Sequence, residues 1–416
     1  MRVLIVAYAC DPLAGSESFV GWNAIKALCG RVDLEVITSE NNRLALEKEA
    51  AERPLGFQVH YLGAKANWHP NRMLARLQSW LQAFDFSRQV LAKAWQIHSE
   101  RPLDLTHHVT ITTWRVPSLL WKLGVPFIWG PIGGGEPFPW QCRTLLSPGA
   151  LFFEVAREIS NKVNRMFPEV RATARNAAFS LATNEETKKV LIELKGEKDG
   201  VEVMSPAIFW PKRIQSLQEG SFPKPPTRPL QIFSGGTLQG SKGVAISLKA
   251  LAIVRTQEVD FVYRLAGYGQ ELRHLKHLAI ELGLEDRVIF CDNLSGEKYF
   301  NELKRSHLYL LPSLRENIGL TLLEAMLAGC VPIVVNCGGP GLVVAGNRGF
   351  KIAVSDPEKM AIEIAEAISL LATDLGLREK LGREASRFVA TEYSAENYQN
   401  RMAEFYRKAM MGKRMI

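Results

Sequence analysis

Short apolar strands that alternate with helical segments constrain the fold more than any other feature, and the pattern runs twice along the chain. Predicted strands in the first half cover residues 3–9, 34–38, 105–109 and 127–129. Those in the second half cover residues 231–234, 262–266, 288–290, 308–311 and 332–335. Strands that alternate with helices form parallel sheets covered on both faces. The pattern predicts an α/β protein of two Rossmann-like domains facing a central cleft.

A cluster of prolines between residues 206 and 229 separates the two halves. Proline lacks a backbone donor and restricts the residue before it, so this segment opposes helix and sheet. We therefore predict an N-terminal domain over residues 1–210, a linker over 211–228 and a C-terminal domain over 229–390. The remaining segment, 391–416, is predicted to hold one last helix over about residues 395–410.

The composition is that of an ordinary globular protein, with 47% hydrophobic and 23% charged residues among 416. The six cysteines form no Cys-x-x-Cys pair, which argues against a zinc or redox motif and favours a cytoplasmic setting. No apolar run reaches the length of about 18 residues that a membrane span requires. The net charge is +8, and residues 66–175 hold 13 Lys/Arg against 7 Asp/Glu. This basic excess lacks the interleaved aromatic residues of a nucleic-acid surface, so nucleic acid is not predicted as a partner.

The most specific motif is the block over residues 311–335, which predicts a loop, a helix from about 318 to 328, and a buried strand. Glu316 precedes the predicted helix and Glu324 lies within it. A helix N-terminus offers free amides and partial positive charge to a diphosphate. Glu324 is placed to accept hydrogen bonds from a ribose diol, and Glu316 to reach a sugar. The candidate donor-binding residues at the helix start are Ile318, Gly319 and Leu320. The alternative is an ordinary amphipathic helix with two solvated carboxylates.

This block resembles the glycosyltransferases of family 4, which have the GT-B fold and carry two glutamates separated by seven residues. The resemblance implies a metal-independent, retaining transfer from a UDP- or GDP-sugar to a saccharide or lipid-linked acceptor, in cell-surface polysaccharide or glycolipid synthesis. The nucleotide sugar is then a substrate, and no cofactor is required. The resemblance also implies that the last helix packs against the N-terminal domain. No Asp-x-Asp pair occurs in the chain to hold a metal–diphosphate complex.

A glycine-rich loop over residues 233–243 follows a predicted strand and precedes a helix. Glycines allow a phosphate to approach the backbone, and Lys242 is placed to neutralise charge on a leaving diphosphate. Family members usually carry an Arg five or six residues before this Lys. Gly236 and Thr237 stand there in this chain, so either Lys242 acts alone or another Arg replaces that partner. Thr237 and Gly267, which follows the strand 262–266, complete the candidate donor-binding set. A plain turn is the alternative for Gly267.

Two loops and one strand of the N-terminal half complete the predicted site. Gly15 and Ser16 follow the first strand and resemble the family's donor-closing loop, with a simple helix cap as the alternative. His107 and His108 lie on one strand, where neighbouring side chains point to opposite faces, so only one of them is expected to reach the cleft. Strand spacing favours His107, whereas the family's preference favours His108. Gly134 and Glu136 are the candidate acceptor-binding residues, with a structural turn as the alternative.

Residues 151–167 have apolar residues at helical spacing beside Arg157, Lys162 and Arg165. Such a helix is able to lie in a lipid interface, so an anionic membrane surface is a further predicted partner, with packing into the N-terminal domain as the alternative. Two other activities fit the sequence: an epimerase or sugar phosphorylase of the same fold, and a non-catalytic nucleotide-sugar-binding protein. They differ from a transferase in what they release from the donor without an acceptor.

Overall fold

A computed structural model describes residues 1–63, 72–222, 224, 228–291, 294 and 296–412; the side chains of Ser16 and of residues 72–81 lie outside this description. The chain divides into two compact units. Unit 1 consists of Met1–Gly135, Ile159–Ile208 and Ala395–Ile416. Unit 2 consists of Glu136–Glu158 and Phe209–Ser394.

Unit 1 is built on a parallel seven-stranded sheet, counted over the described residues. Its strands are β1 (Arg2–Ala7), β2 (Asp33–Ser39), β3 (Gln58–Leu62), β4 (Leu105–Thr110), β5 (Phe127–Ile132), β6 (Phe179–Ala182) and β7 (Val201–Val203). The sheet order is β3-β2-β1-β4-β5-β6-β7. The helices that begin before residue 200 are α1 (Ser16–Leu28), α2 (Arg43–Glu52), α3 (Arg72–Glu100), α4 (Pro148–Met166), α5 (Pro168–Asn176) and α6 (Glu185–Lys195). Every residue of β1, β4 and β5 is buried, as expected for strands covered on both faces.

Unit 2 repeats this plan with a parallel six-stranded sheet in its described residues. Its strands are β8 (Leu230–Gly235), β9 (Phe261–Ala266), β10 (Val288–Cys291), β11 (Leu308–Leu311), β12 (Val331–Val335) and β13 (Phe350–Ile352), in the order β10-β9-β8-β11-β12-β13. The later helices are α7 (Pro211–Gln218), α8 (Val244–Thr256), α9 (Leu272–Glu281), α10 (Gly296–Arg305), α11 (Leu320–Leu327), α12 (Gly338–Val343), α13 (Pro357–Thr373), α14 (Leu375–Glu392) and α15 (Ala395–Gly412). The predicted α/β class with two Rossmann-like domains is confirmed.

Both sheets reverse their strand order at one point, between β1 and β4 in unit 1 and between β8 and β11 in unit 2. Ligands of open parallel sheets bind outside the carboxyl ends of the strands at such a reversal. The loops that follow β8 and β11 hold Lys242 and Glu316. The fold of unit 2 therefore puts the two most specific sequence motifs at the position where a ligand is expected.

Two predicted boundaries differ from the structure. The predicted linker 211–228 contains α7, because Pro211 occupies the first turn of a helix, where a proline has no donor to lose. The segment Glu136–Glu158, predicted to belong to the N-terminal domain, groups with unit 2. It does so because Phe138 and Cys142 are buried in the apolar core of unit 2, and the Cys142 thiol donates to the Ser355 carbonyl at 3.5 Å.

Candidate active site

The loop after β8 and the loop after β11 meet through an ion pair. Lys242 Nζ lies 2.5 Å from Glu316 Oε2, with both side chains mostly shielded from solvent. A backbone bond from Leu314 N to the Ser241 carbonyl at 2.8 Å ties the same two loops together. The structure thus brings together the two predicted catalytic residues of unit 2, which lie 74 positions apart in sequence.

Helix α11 begins at Leu320, four residues after Glu316. Its N-cap is Gly319, whose φ of 72° is in the left-handed region, and Leu322 and Leu323 donate their amides to the Gly319 carbonyl. The amides of the first turn have no acceptor within a helix, so those of Leu320 and Thr321 are the groups that this terminus offers to an anion. The predicted helix began two residues too early, since Ile318 still belongs to the preceding loop.

Glu324 lies one turn further along α11 and forms a second ion pair. Arg213 Nη2 donates to Glu324 Oε1 at 2.6 Å, and the Arg213 guanidinium stacks 3.8 Å from the centre of the Phe300 ring. Burial raises the pKa of the Glu324 carboxyl above its usual value, and the charge of Arg213 opposes that rise. The carboxyl therefore has a hydrogen-bonded cation as its nearest partner.

A cavity of about 260 Å³ opens beside this pair. Glu324 and Gly267, both predicted to bind the donor, lie in its wall together with Arg213 and Thr321. The remaining lining residues are Gly236, Ala266, Leu294, Gly296, Tyr299 and Phe300. The cavity thus combines an aromatic wall, a carboxylate and a guanidinium, which are the groups expected around a base and a ribose.

Gly267 is required by packing. A Cβ there would lie 1.9 Å from the Gly236 carbonyl oxygen, so only glycine lets the loops after β8 and β9 approach this closely. Thr237, the next residue along the first of these loops, is exposed. Gly15 in unit 1 differs, because a Cβ at Gly15 would meet nothing within 4 Å. The side chain of its neighbour Ser16 lies outside the described part of the structure, and the backbone there begins α1.

The two adjacent histidines of β4 have different surroundings within unit 1. Both ring nitrogens of His107 are engaged, Nδ1 with the Tyr406 hydroxyl at 2.8 Å and Nε2 with the Gly130 carbonyl at 2.7 Å. His108 contacts the Ile111 carbonyl through Nε2 at 3.3 Å. Burial lowers the pKa of each imidazole to about 4, so both rings are neutral at pH 7. This geometry makes His107 part of the framework and leaves His108 as the stronger candidate for contact with a substrate.

The two predicted acceptor residues fall in different units. The Gly134 carbonyl accepts hydrogen bonds from Arg115 Nη2 at 2.9 Å and Trp114 Nε1 at 3.1 Å in unit 1. Glu136 belongs to unit 2, is 2% exposed, and accepts a bond from Arg157 Nη1 at its carbonyl, 3.0 Å away. The predicted location of Glu136 in the N-terminal domain was therefore wrong, and its role in acceptor binding stays a prediction.

Arg213 and Thr321 were not predicted. Arg213 follows Pro211 in the segment taken for a linker, and the only signal that favours it is the N-terminal proline of α7. Thr321 follows Leu320 directly in the predicted helix and lines the cavity, but it was not among the predicted donor-binding residues. Within the described residues, no three His, Cys, Asp or Glu side chains are grouped to hold a metal ion. None of the described helices is both long and apolar enough to cross a membrane.

Residues 218–388 match the family model of the glycosyl transferases group 1. A putative colanic acid biosynthesis glycosyltransferase, WcaL of Salmonella typhimurium, is 33% identical over 34% of this chain and 37% of its own length. The amylovoran biosynthesis glycosyltransferase AmsK of Erwinia amylovora is 30% identical over 41% of this chain and 44% of its own length. The chain thus spans less than half of these two curated relatives.

Solved structures match the whole chain at lower identity. Anabaena HepE in complex with UDP has a TM-score of 0.64 at 18% identity, covering 97% of this chain and 99% of its own. The lipopolysaccharide outer core galactosyltransferase WaaB has a TM-score of 0.64 at 16% identity, covering 99% and 100%. The fold of the whole chain is that of these GT-B proteins, and the family similarity extends over residues 218–388.

Proposed function

We propose that this chain is a metal-independent, retaining glycosyltransferase that transfers a hexose from a UDP- or GDP-sugar to a saccharide or lipid-linked acceptor. The observation that carries the proposal is the Lys242–Glu316 ion pair beside the first turn of α11, at the strand reversal of unit 2. A lysine and a helix N-terminus together supply the positive charge that a leaving diphosphate requires. The relatives named for colanic acid and amylovoran synthesis support a role in surface polysaccharide or glycolipid synthesis.

In this proposal, different residues of unit 2 bind different parts of the donor. The α11 amides and Lys242 bind the diphosphate, and Glu316, released from Lys242, binds hydroxyls of the transferred sugar. Glu324 accepts hydrogen bonds from the ribose diol in the adjoining cavity. Arg213, which borders the same cavity, supplies the second cation that the loop after β8 lacks. UDP and UDP-glucose are bound by the structural neighbour HepE, which supports a nucleotide-sugar donor.

The chemical step that we propose is a displacement on one face of the sugar, with the retention of configuration that the family resemblance implies. The bond between the anomeric carbon and the diphosphate oxygen breaks, and the acceptor oxygen attacks the same face of the sugar. The acceptor proton passes to the departing diphosphate oxygen, so no side chain needs to form a covalent intermediate. Neutral His108 orients the sugar and carries no charge of its own at pH 7.

The test has two stages. Thermal unfolding is first measured with UDP-, GDP- and ADP-sugars, because a ligand at 100 times its Kd stabilises the folded state by about 2.7 kcal/mol. The donor that raises the melting temperature is then incubated with saccharide acceptors, and the anomeric configuration of the product is determined by NMR. Retained configuration supports the proposal. No response to any donor would overturn it, as would release of sugar phosphate or epimerised donor in the absence of acceptor.

A further inference from the structure

Helix α4 exposes apolar residues on the side that faces solvent, whereas an ordinary surface helix buries its apolar side. Its apolar residues Phe152, Val155, Ile159, Val163 and Met166 are 69%, 40%, 58%, 48% and 75% exposed. At 3.6 residues per turn these five positions share one side of the helix. We call this set the apolar stripe. The helix is one continuous element, although its first part groups with unit 2 and its last part with unit 1.

Polar side chains occupy the opposite, inward side of α4. Glu154 is 4% exposed and pairs with Arg315 Nη2 at 2.6 Å in unit 2. Asn161 Oδ1 accepts a hydrogen bond from Arg115 Nε at 2.6 Å in unit 1. Because hydrogen-bonded polar groups fix this side inward, the helix is not able to turn and bury its apolar residues. The stripe is therefore a stable feature of the surface.

The buried arrangement also corrects the predicted lipid-facing cations. Arg157 lies on the inward side, with its side chain 10% exposed beside Glu136, so it is not available to a membrane. Lys162 is exposed and lies next to the stripe on the same helix. Arg171 Nε donates to the Arg165 carbonyl at 2.8 Å, which holds a further cation at the end of α4 near Met166.

We propose that the apolar stripe and its cationic rim dock this protein on an anionic lipid surface. The rim of residues 158–175 has four solvent-reaching cations, Lys162, Arg165, Arg171 and Arg175, against the two acids Glu158 and Glu169. Arg165 also pairs with Glu193 at 3.1 Å, which reduces its contribution. An exposed apolar face flanked by positive charge is the arrangement that inserts among acyl chains while binding acidic headgroups.

The positive charge beside the apolar stripe favours an anionic lipid surface over the other partners that could cover the stripe. A second copy of this chain would bring the same cationic rim against itself, and like charges close together oppose association. A neutral lipid surface would leave the cations without partners. The inference does not depend on the reaction; combined with the proposed function, it favours a lipid-linked acceptor over a free saccharide.

Co-sedimentation of the full chain with vesicles tests the stripe. We expect binding to phosphatidylcholine vesicles that contain about one quarter phosphatidylglycerol at about 50 mM salt, and at least tenfold weaker binding at about 500 mM. Phosphatidylcholine alone is expected to leave the protein in the supernatant. The variant Phe152→Ser/Ile159→Ser/Met166→Ser should lose binding while its unfolding temperature stays unchanged, because these side chains are already in solvent.

Matched controls separate the stripe from general apolar or basic surface. Leu44→Ser/Ile362→Ser/Leu370→Ser removes three comparably exposed apolar side chains from other helices and should bind as the wild type does. In the charge series, Lys162→Glu/Arg171→Glu should weaken binding at least tenfold, since each basic residue near an anionic surface is worth about fivefold. Lys48→Glu/Lys380→Glu makes the same charge change at exposed positions elsewhere and should have a much smaller effect.

Two results would overturn the proposal. The first is a wild-type protein that stays in the supernatant with anionic vesicles at low salt, or a stripe variant that binds them as strongly. The second is a dimer by light scattering that the stripe variant converts to a monomer, which would make the stripe an interface between copies. Neither result bears on donor-induced stabilisation, so failure here is distinguishable from failure of the proposed function.

Discussion

The two units have the same strand order around their reversal points but place different chemistry there. In unit 2 the polar groups are charged and paired with each other, Lys242 with Glu316 and Arg213 with Glu324. In unit 1 the corresponding strand carries two neutral histidines, His107 and His108, bonded to nearby groups. A diphosphate is stabilised by positive charge, whereas a neutral imidazole offers hydrogen bonds without adding charge. The same strand order therefore carries charged, paired groups in unit 2 and neutral imidazoles in unit 1.

The largest effect expected from this comparison is the loss of Lys242. Lys242→Ala removes the cation that we propose stabilises the leaving diphosphate, and losing one such group typically costs about 2.7–4 kcal/mol of transition-state stabilisation, or about 100- to 1,000-fold in turnover. Steady-state transfer assays measure the loss. Lys242→Arg keeps the charge and should retain more activity than Lys242→Ala. Lys249→Ala is the matched control, because it removes a cation of α8 that is paired with Glu358 of α13. Equal losses in both alanine variants would contradict the assignment.

The pH dependence of stability tests the neutral histidines of unit 1. The pKa of His107 is lowered from 6.5 to about 4, so the unfolded chain takes up a proton at higher pH than the folded one does. Stability contributed by this neutral ring is complete above pH 6.5 and falls as the pH drops towards 4, by about 3 kcal/mol at most. Urea unfolding of the wild type and of His107→Gln across this range should show a shallower pH dependence in the variant.

The matched control is His277→Gln, the same substitution at an exposed histidine of α9. His108→Ala supplies the kinetic contrast. If His107 is framework and His108 contacts the sugar, His108→Ala lowers turnover more than stability, and His107→Gln does the reverse. Parallel losses of turnover and stability in both variants would remove the distinction.

A smaller effect is expected at the second ion pair of unit 2. Glu324→Ala should weaken donor binding by about 1.5–3 kcal/mol, the usual worth of a hydrogen bond to a charged group. Arg213→Leu, which also removes the guanidinium stacked on Phe300, tests the residue that sequence analysis missed. Because the two side chains are in contact, a double-mutant cycle measured by donor titration should show about 0.5–3 kcal/mol of coupling. Strict additivity would mean that Arg213 acts independently of Glu324.

The sequence predicted local features well because they depend on residues close together in the chain. The alternation of strands and helices is such a feature, and so are the loops that follow β8 and β11, since a strand end and a helix start mark each one. The family resemblance drawn from Glu316 and Glu324 agrees with the match of residues 218–388 to the group 1 family model. The positions of Lys242 and Glu316 at one reversal point then follow from the order of a parallel sheet.

Features that depend on distant partners escaped prediction. The placement of Glu136–Glu158 in unit 2 depends on Phe138 packing into a core formed by residues far along the chain. The fixed state of His107 depends on Tyr406, 299 positions away. The inward direction of Arg157 differs from these features, because it depends on local spacing and was predictable. Arg157 stands five residues after Phe152 on the same helix. At 3.6 residues per turn that spacing already puts the two on opposite sides of the helix.

The last prediction expects no effect. If positive charge from Lys242 and the α11 amides is sufficient for the diphosphate, transfer activity should be the same after dialysis against EDTA as before it. The assay compares initial rates in metal-free buffer, in EDTA, and after Mg²⁺ or Mn²⁺ is added back. A lower rate in EDTA that either ion restores would show that a metal carries part of the charge. The contrast between the charged groups of unit 2 and the neutral histidines of unit 1 would then need revision.

Lys242→Ala makes the same assay more specific. If Mg²⁺ partly rescues the rate of this variant but leaves the wild-type rate unchanged, Lys242 has the electrostatic role that a metal has in enzymes with paired carboxylates.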